Sequence, residues 1–318
     1  MSLVKIQAWF FPLMILLIGI SNILVVFIGG RQYMNNEIEL GILAEFIIYV
    51  NMLTWPVATV GWVTSIVQQA EASQKRINEF LSVQSSVKNI SNKKIEIEGK
   101  IEFKNVEFIY PETKIKALNN VSFSINKGDS LAIMGDIGSG KTTILELLCR
   151  IYNPTNGKIL IDDFDIKRIN LKDLRNSLGY VPQSTFLFSE TINKNIKFGN
   201  ENASKNEVKD TAKKVCLSDE IKLFKNGYNT LLGERGVNLS GGQKQRLAIA
   251  RAIIKKPKIL ILDDSLSAVD TETEEIILTN INKVSKENTL LIATHRISTA
   301  KNCNKILVLE NGKVIECG

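Results

Sequence analysis

The 318-residue sequence predicts an α/β domain preceded by a pair of α-helical transmembrane segments. Two long runs near the N-terminus contain no charged residue, which is typical of membrane-spanning helices. From residue 98 onward, short apolar strands alternate with helical stretches, which indicates an α/β fold. Two late strands, "ILIL" at 259–262 and "TLLIAT" at 289–294, are apolar on both faces, as expected for strands that helices cover on both sides of a sheet.

The charge-free runs, 6–30 and 46–70, are each 25 residues long. As helices they would extend about 37 Å, which exceeds the hydrocarbon core of about 30 Å. The second run contains Asn51, Pro56 and Gly61, which are tolerated where membrane helices pack in a bundle. The alternative is a pair of buried helices in a soluble protein.

The charges that flank these runs predict their orientation. The segment 31–45 carries one Arg against three Glu, whereas Lys75 and Arg76 follow the second run. Because positive charge favours the cytoplasmic side, we expect segment 31–45 outside and both outer ends in the cytoplasm of a multi-pass cell-membrane protein. The predicted domains are a partial transmembrane domain at 1–82 (with a helical extension after residue 70), a polar linker at 83–97, and an α/β domain at 98–318.

The net charge of +7 does not indicate a nucleic-acid-binding protein. Lys and Arg are scattered from Lys75 onward among Asp and Glu, without a basic block or interleaved aromatic residues. We interpret this surplus as a solvated surface and expect no nucleic-acid partner. The four cysteines form no CxxC pair, which indicates neither a metal site nor a disulfide framework.

The stretch "GDIGSGKT", 135–142, matches the phosphate-binding pattern G-x-x-x-x-G-K-[ST] between a predicted strand and a predicted helix. Its glycines let the backbone N–H groups wrap around phosphates, and the helix start adds a positive end. Lys141 is expected at the β- and γ-phosphates, and the Thr142 hydroxyl at Mg²⁺. The predicted ATP-binding residues here are Gly135, Asp136, Ile137, Gly138, Ser139, Gly140, Lys141, Thr142 and Thr143.

Two further motifs support a nucleotide site. The apolar strand at 259–262 ends in Asp263 and Asp264, and the Asp263 carboxylate can hold Mg²⁺ through water. "LSGGQ" places a Ser before two glycines at a helix start, which forms a second anion-binding nest. Its residues are Leu239, Ser240, Gly241, Gly242 and Gln243.

This ordered set of motifs resembles the ATP-binding cassette (ABC) family, and more narrowly the exporter half-transporters of the multidrug and lipid type, over nearly the whole chain. The chain is similar to their C-terminal part, the last two membrane helices plus the cassette. The resemblance implies an α/β P-loop NTPase cassette with a RecA-like core, an antiparallel β-subdomain and a helical subdomain. It also implies ATP and Mg²⁺ as cofactors.

The resemblance assigns roles to further residues. Tyr110 would stack on adenine, although it could equally be a core residue at a strand end. Gln183 would contact Mg²⁺ beside Thr142 and Asp263, "GERG" at 233–236 would touch the membrane domain, and "SAVD" would be the D-loop, with Ser267 and Asp270. The expected catalytic residues are Asp264, His295, Gln183 and Lys141.

In the family, two cassettes sandwich two nucleotides, each held by the phosphate loop of one cassette and the LSGGQ signature of the other. The resemblance therefore implies a second half-transporter as partner, together with membrane lipid. The family's exporter half has six membrane helices and a further C-terminal helical region. We accordingly expect this chain to be a fragment or a truncated reading frame, with drug, lipid and peptide substrates all open.

Asp264 occupies a position where the family usually has Glu. The resemblance links Asp there to heterodimeric exporters with one weak and one competent site, so a heterodimer is expected, in which this chain's own site is slow. The alternatives are a slow homodimeric exporter, an ABC ATPase that does not transport, and a non-functional remnant.

Overall fold

The computed structural model describes residues 2–89, 95–284 and 288–318, and the chain forms two compact units, Met1–Gln84 and Ser85–Gly318. Part of the predicted linker, residues 90–94, lies outside the described residues. Residues 85–89 belong to the second unit. Val87 is buried there, Arg150 donates a hydrogen bond to the Lys88 carbonyl (2.8 Å), and the Leu171 N–H donates to Asn89 Oδ1 (3.1 Å).

The first unit is a helical hairpin of α1 (Ser2–Met34) and α2 (Leu40–Ser82). Both helices are long and apolar enough to cross a membrane. They extend beyond the charge-free runs because the flanking Glu, Gln, Lys and Arg residues are themselves good helix formers. Segment 31–45 is therefore mostly helical, and only residues 35–39 separate the two helices.

The contacts between the two helices of the hairpin include a close approach at a glycine and a polar contact. Gly29 allows close approach, because a Cβ built there would lie 2.4 Å from Leu43 Cδ1. The Asn22 amide donates to Asn51 Oδ1 at 3.4 Å, which is a polar contact inside the apolar runs. Small residues and side-chain amides are common at such helix interfaces.

The described residues of the second unit form ten strands in two sheets. In chain order they are β1 (Ile101–Ile109), β2 (Lys116–Ile125), β3 (Ser130–Gly135), β4 (Asn156–Ile161), β5 (Phe164–Asp165), β6 (Leu178–Val181), β7 (Ile259–Asp263), β8 (Thr289–Ala293), β9 (Lys305–Glu310) and β10 (Lys313–Cys317). One sheet is antiparallel, in the order β2-β1-β4-β5, and the other has the order β10-β9-β3-β8-β7-β6.

The helices of this unit follow the strands as an α/β fold requires. They are α3 (Lys141–Leu148), α4 (Leu171–Ser177), α5 (Ile192–Lys197), α6 (Lys205–Lys214), α7 (Ser218–Leu223), α8 (Gly241–Ile253), α9 (Thr271–Val284) and α10 (Ile297–Ala300). One apolar core lies between the two sheets and α3, and a second joins α5 to α9 with the other face of the larger sheet. The predicted fold class is confirmed.

The parallel strands decide where functional loops meet. β3, β8, β7 and β6 are neighbours in parallel register, and β7 and β8 are buried along their whole length. Their carboxyl ends consequently share one edge of the sheet, where loops of an open α/β sheet bind ligands. An Asn-Gly pair between two apolar runs predicts a hairpin turn, and Asn311 and Gly312 form one between β9 and β10, with φ of 49° and 74° as a type I′ turn requires.

Candidate nucleotide-binding site

The phosphate loop, 135–142, connects β3 to α3 at this sheet edge. Gly135, Gly138 and Gly140 all have positive φ, at 150°, 83° and 104°. A Cβ at Gly135 would lie 2.2 Å from the Leu309 carbonyl oxygen, and one at Gly140 would lie 2.9 Å from the Ala117 carbonyl oxygen. Glycine is therefore required at Gly135 and Gly140 for two reasons: the backbone has a positive φ, and a side chain would clash with a neighbouring carbonyl oxygen.

Two polar side chains of this loop, those of Lys141 and Ser139, are candidates for contact with an anion. The Lys141 ammonium donates to the carbonyl oxygens of Gly135 (2.6 Å) and Asp136 (2.7 Å). Burial lowers the pKa of Lys141, while the carboxylates of Asp264 and Asp263 act in the opposite direction. The Ser139 hydroxyl is buried and has no hydrogen-bond partner within the described residues, so it fits a phosphate oxygen.

Asp263 and Thr142 form the candidate magnesium position. Asp263, at the end of β7, is 3% exposed, and its Oδ1 accepts a hydrogen bond from Thr142 Oγ1 at 3.2 Å. Burial raises the pKa of Asp263, the hydrogen bond from Thr142 lowers it, and the neighbouring charge of Asp264 raises it further. A buried carboxylate beside a hydroxyl is a pair of hard oxygen donors, which fits Mg²⁺.

Asp264 joins two of the predicted catalytic residues. Its backbone has a φ of 44°, and its N–H donates to the Ala293 carbonyl at 2.9 Å. One carboxylate oxygen lies 3.1 Å from His295 Nδ1, and the other accepts from Gln183 Nε2 at 3.5 Å. The loops after β6, β7 and β8 thus bring Gln183, Asp264 and His295 together.

Tyr110 lies beside the helix that follows the phosphate loop. Its hydroxyl donates to Glu146 Oε2 (3.1 Å) and shares a hydrogen bond with Thr143 Oγ1 (2.9 Å). Its half-buried ring packs against Phe108 and Tyr152, and burial raises its pKa. One edge of the ring therefore belongs to the core, and its contact with adenine stays a prediction.

The LSGGQ signature forms the start of α8. Ser240 is its N-cap, with the Ser240 hydroxyl accepting from the Gln243 N–H (3.2 Å) and Gln243 Oε1 accepting from the Ser240 N–H (2.9 Å). Gln243 also donates to Glu220 at 2.8 Å, and Glu220 pairs with Arg246 at 2.7 Å. The N-terminal end of a helix suits an anion.

The D-loop, 267–270, is hydrogen-bonded both to Asp264 and to the signature helix α8. The Ser267 hydroxyl donates to the Asp264 carbonyl (2.9 Å) and accepts from Gln245 Nε2 (3.0 Å). Asp270 accepts from the Thr273 N–H at 2.9 Å, and this backbone hydrogen bond lowers the pKa of Asp270. Asp270 therefore also caps α9.

Four side chains around these loops were not predicted as site residues. They are Glu220, Gln245, Glu274 and Arg296, and each contacts a residue distant in sequence. Arg296 directly follows His295, and Gln245 lies two residues after the signature, so proximity to a motif was the available signal. The segment 233–236 forms a turn in which Glu234 and Arg235 are exposed, Gly236 is buried, and Arg235 has a φ of 50°.

Comparison with known proteins agrees with this geometry. The family profile described as "ABC transporter" matches residues 118–267, which include the phosphate loop, the signature and Asp264. The chain contains an ABC transporter domain. A solved bacterial Atm1-family ABC exporter with ATP bound is similar to it in fold, with a TM-score of 0.76 and 37% identity over 89% of this chain and 50% of that chain.

Curated ABC relatives are similar over the whole chain. The "Probable multidrug resistance ABC transporter ATP-binding/permease protein YheI" of Bacillus subtilis (strain 168) is 39% identical over 100% of this chain and 54% of that protein. The "Multidrug resistance-like ATP-binding protein MdlA" of Buchnera aphidicola subsp. Baizongia pistaciae (strain Bp) is 40% identical over 100% of this chain and 55% of that protein. The chain spans about half the length of these relatives.

These matches confirm two predictions. The second unit is an ATP-binding domain of the ABC type, as the phosphate loop and signature indicated. The chain is a membrane protein, in which two apolar helices precede a cytoplasmic nucleotide-binding domain.

Proposed function

We propose that this chain is the ATP-binding part of an ABC exporter subunit whose own phosphate-loop site hydrolyses ATP slowly. Its signature would complete a competent site formed with a different half-transporter. ATP-driven closure of the two cassettes would be coupled to export of a drug, lipid or peptide. The observation that carries this proposal is the position of Asp264 between Gln183 and His295.

The length of the Asp264 side chain is the decisive quantity. Its carboxylate already contacts His295 at 3.1 Å and Gln183 at 3.5 Å, so both oxygens are engaged close to the sheet edge. A glutamate would carry the carboxylate about 1.5 Å farther, the length of one C–C bond. A misplacement of about 1 Å can cost on the order of 10²-fold in rate, and a positioned base contributes about 10²–10⁴-fold in total.

The remaining residues support nucleotide binding. Lys141 and the buried Ser139 hydroxyl belong to the phosphate loop and would hold phosphate oxygens. Thr142 and Asp263 would hold Mg²⁺, with Gln183 as a further oxygen donor. When bound, the ion would neutralise charge on the β- and γ-phosphates. Binding would therefore persist while hydrolysis is slow.

The test compares ATP hydrolysis by the full chain with that of Asp264→Glu. We expect Asp264→Glu to hydrolyse ATP on the order of 10²-fold faster, because its carboxylate reaches farther toward the attacking water. Asp264→Asn is the matched control, since it keeps the size of the side chain but removes the base. It should retain ATP affinity and lose residual turnover. Equal turnover of wild type and Asp264→Glu would contradict the proposal.

A slow homodimeric exporter is the second candidate. It is favoured by His295, because this histidine is present and already contacts Asp264, as residual hydrolysis would require. Sedimentation of the full chain with ATP distinguishes the candidates. A stable ATP-dependent dimer of identical chains favours the homodimer, and a monomer supports the need for a different partner.

A further inference from the structure

Arg296 lies on the opposite side of the backbone from the catalytic histidine. It directly follows His295 and has extended φ and ψ of −93° and 125°. In extended backbone, consecutive side chains project in opposite directions. His295 accordingly contacts Asp264, whereas Arg296 contacts the D-loop.

The Arg296 guanidinium binds three acceptors from two parts of the chain. Nη2 donates to the Ser267 carbonyl at 2.6 Å, and Nη1 donates to the Val269 carbonyl at 3.0 Å. Nη1 also donates to Glu274 Oε2 at 2.6 Å. The planar fork of arginine suits this arrangement, whereas a lysine ammonium is a single point on a shorter side chain.

Glu274 fixes the orientation of Arg296. This carboxylate, on α9, is only 2% exposed, and a buried charge is tolerated when it is paired and hydrogen-bonded. One carboxylate oxygen pairs with Arg296, and the other accepts a hydrogen bond from the Thr299 hydroxyl. Thr299 lies on α10, which begins directly after Arg296.

The signature helix α8 also binds the D-loop, through Gln245. Gln245 Nε2 donates to Ser267 Oγ at 3.0 Å, and the Ala268 N–H donates to Gln245 Oε1 at 2.8 Å. Because Ser267 Oγ also donates to the Asp264 carbonyl, a shift of the D-loop is transmitted to Asp264. The D-loop is thus clamped between α8 and Arg296.

We propose that Arg296 is a positioning residue that fixes the position of the D-loop relative to His295, and that Glu274 orients the Arg296 side chain for this purpose. The inference rests on the proposed function, because the D-loop lies between this chain's Asp264 and the signature that would serve a partner. A displacement of His295 by nucleotide would move Arg296 with it, and the two D-loop carbonyls would follow.

The experiment uses the full chain and compares Arg296→Lys with Arg150→Lys. Arg150 is a matched control, because it is a buried arginine that donates to two backbone carbonyls, of Ile169 (3.0 Å) and Lys88 (2.8 Å), away from the D-loop. Amide hydrogen exchange of residues 264–270 is measured first. ATP turnover and KM follow on the same samples.

In Arg296→Lys we expect exchange at 264–270 to rise about tenfold, because hydrogen bonds from a charged donor are lost. Turnover should fall about 10- to 100-fold with KM unchanged, as for a misplaced catalytic group. Arg150→Lys should leave both readouts at wild-type values. Glu274→Gln keeps the side-chain size and should raise the same exchange to a smaller extent, which provides a second variant if Arg296→Lys does not fold.

Unchanged exchange at 264–270 in the folded variants would overturn the proposal, as would an equal fall in turnover for Arg150→Lys. The exchange measurement requires no hydrolysis. If wild type and Asp264→Glu hydrolyse ATP equally, the weak-site proposal fails, and the exchange of residues 264–270 still decides the role of Arg296.

Discussion

Gly242 and Gly241, adjacent in the first turn of α8, differ in how closely they approach the D-loop. A Cβ at Gly242 would lie 2.8 Å from the backbone oxygen of Ala268, whereas one at Gly241 would lie 3.4 Å from Ala268 Cβ. The 3.4 Å distance at Gly241 is an ordinary van der Waals contact, whereas the 2.8 Å distance at Gly242 is a steric clash. Gly242→Ala should therefore displace the helix or the D-loop, and Gly241→Ala should not.

The magnitude follows from two opposing terms. Replacing glycine by alanine at a compatible helical position stabilises a protein by about 0.4–1 kcal/mol, chiefly by restricting the unfolded chain. Adding a methyl group to a closely packed site costs about 1–3 kcal/mol. Only Gly242→Ala adds a methyl group to a closely packed site, so the two variants should differ by about 1–3 kcal/mol in free energy of unfolding.

Thermal unfolding of the full chain measures this difference. A domain of about 150–250 residues shifts its Tm by about 2–4 °C per kcal/mol, so Gly242→Ala should unfold roughly 2–12 °C below Gly241→Ala. Hydrogen exchange should show the loosening at 264–270 in Gly242→Ala alone. Equal Tm values for the two variants would refute the close packing of Gly242 against the D-loop.

Two further predictions concern titration and metal dependence. Hydrogen bonds from Lys256 and Ser204 lower the pKa of Glu207 to about 2. The ionised Glu207 therefore stabilises the fold fully above its ordinary pKa, and this stabilisation is lost as the pH falls through about 2. The Tm difference between wild type and Glu207→Gln should shrink as the pH is lowered from the ordinary pKa of a glutamate to about 2. Asp263→Asn should keep ATP affinity in EDTA but lose most of the increase in ATP affinity that Mg²⁺ provides, measured with a fluorescent ATP analogue. The reason is that Thr142 and Gln183 are neutral oxygen ligands and form a weak magnesium site without a carboxylate. Equal magnesium effects in wild type and Asp263→Asn would contradict that role.

Local sequence patterns predicted the features that local chemistry determines. The phosphate loop, the buried strands β7 and β8 and the turn at Asn311 and Gly312 depend on residues close together in the chain. The same holds for Ser240, whose capping partner lies three residues away. These elements were predictable because hydrogen-bonding capacity and backbone freedom are properties of the residues themselves.

The contacts that organise the site depend on tertiary packing instead. Arg296 contacts Glu274 across 22 residues and Ser267 across 29, and no periodicity relates these positions. The hydroxyl of Tyr110 contacts Thr143 across 33 residues for the same reason. The antiparallel sheet order was also not predictable, because strand alternation indicates burial and not the neighbouring strand.

The contact between His295 and Asp264 has a practical consequence for spectroscopy. His295 is the only histidine in the sequence, so a sample labelled with ¹⁵N-histidine contains a single imidazole. Its two ring nitrogen signals would belong to this one residue, and one of them comes from Nδ1, which lies 3.1 Å from Asp264. Prepared with a purification tag that lacks histidine, the chain carries an intrinsic NMR probe at its candidate catalytic carboxylate.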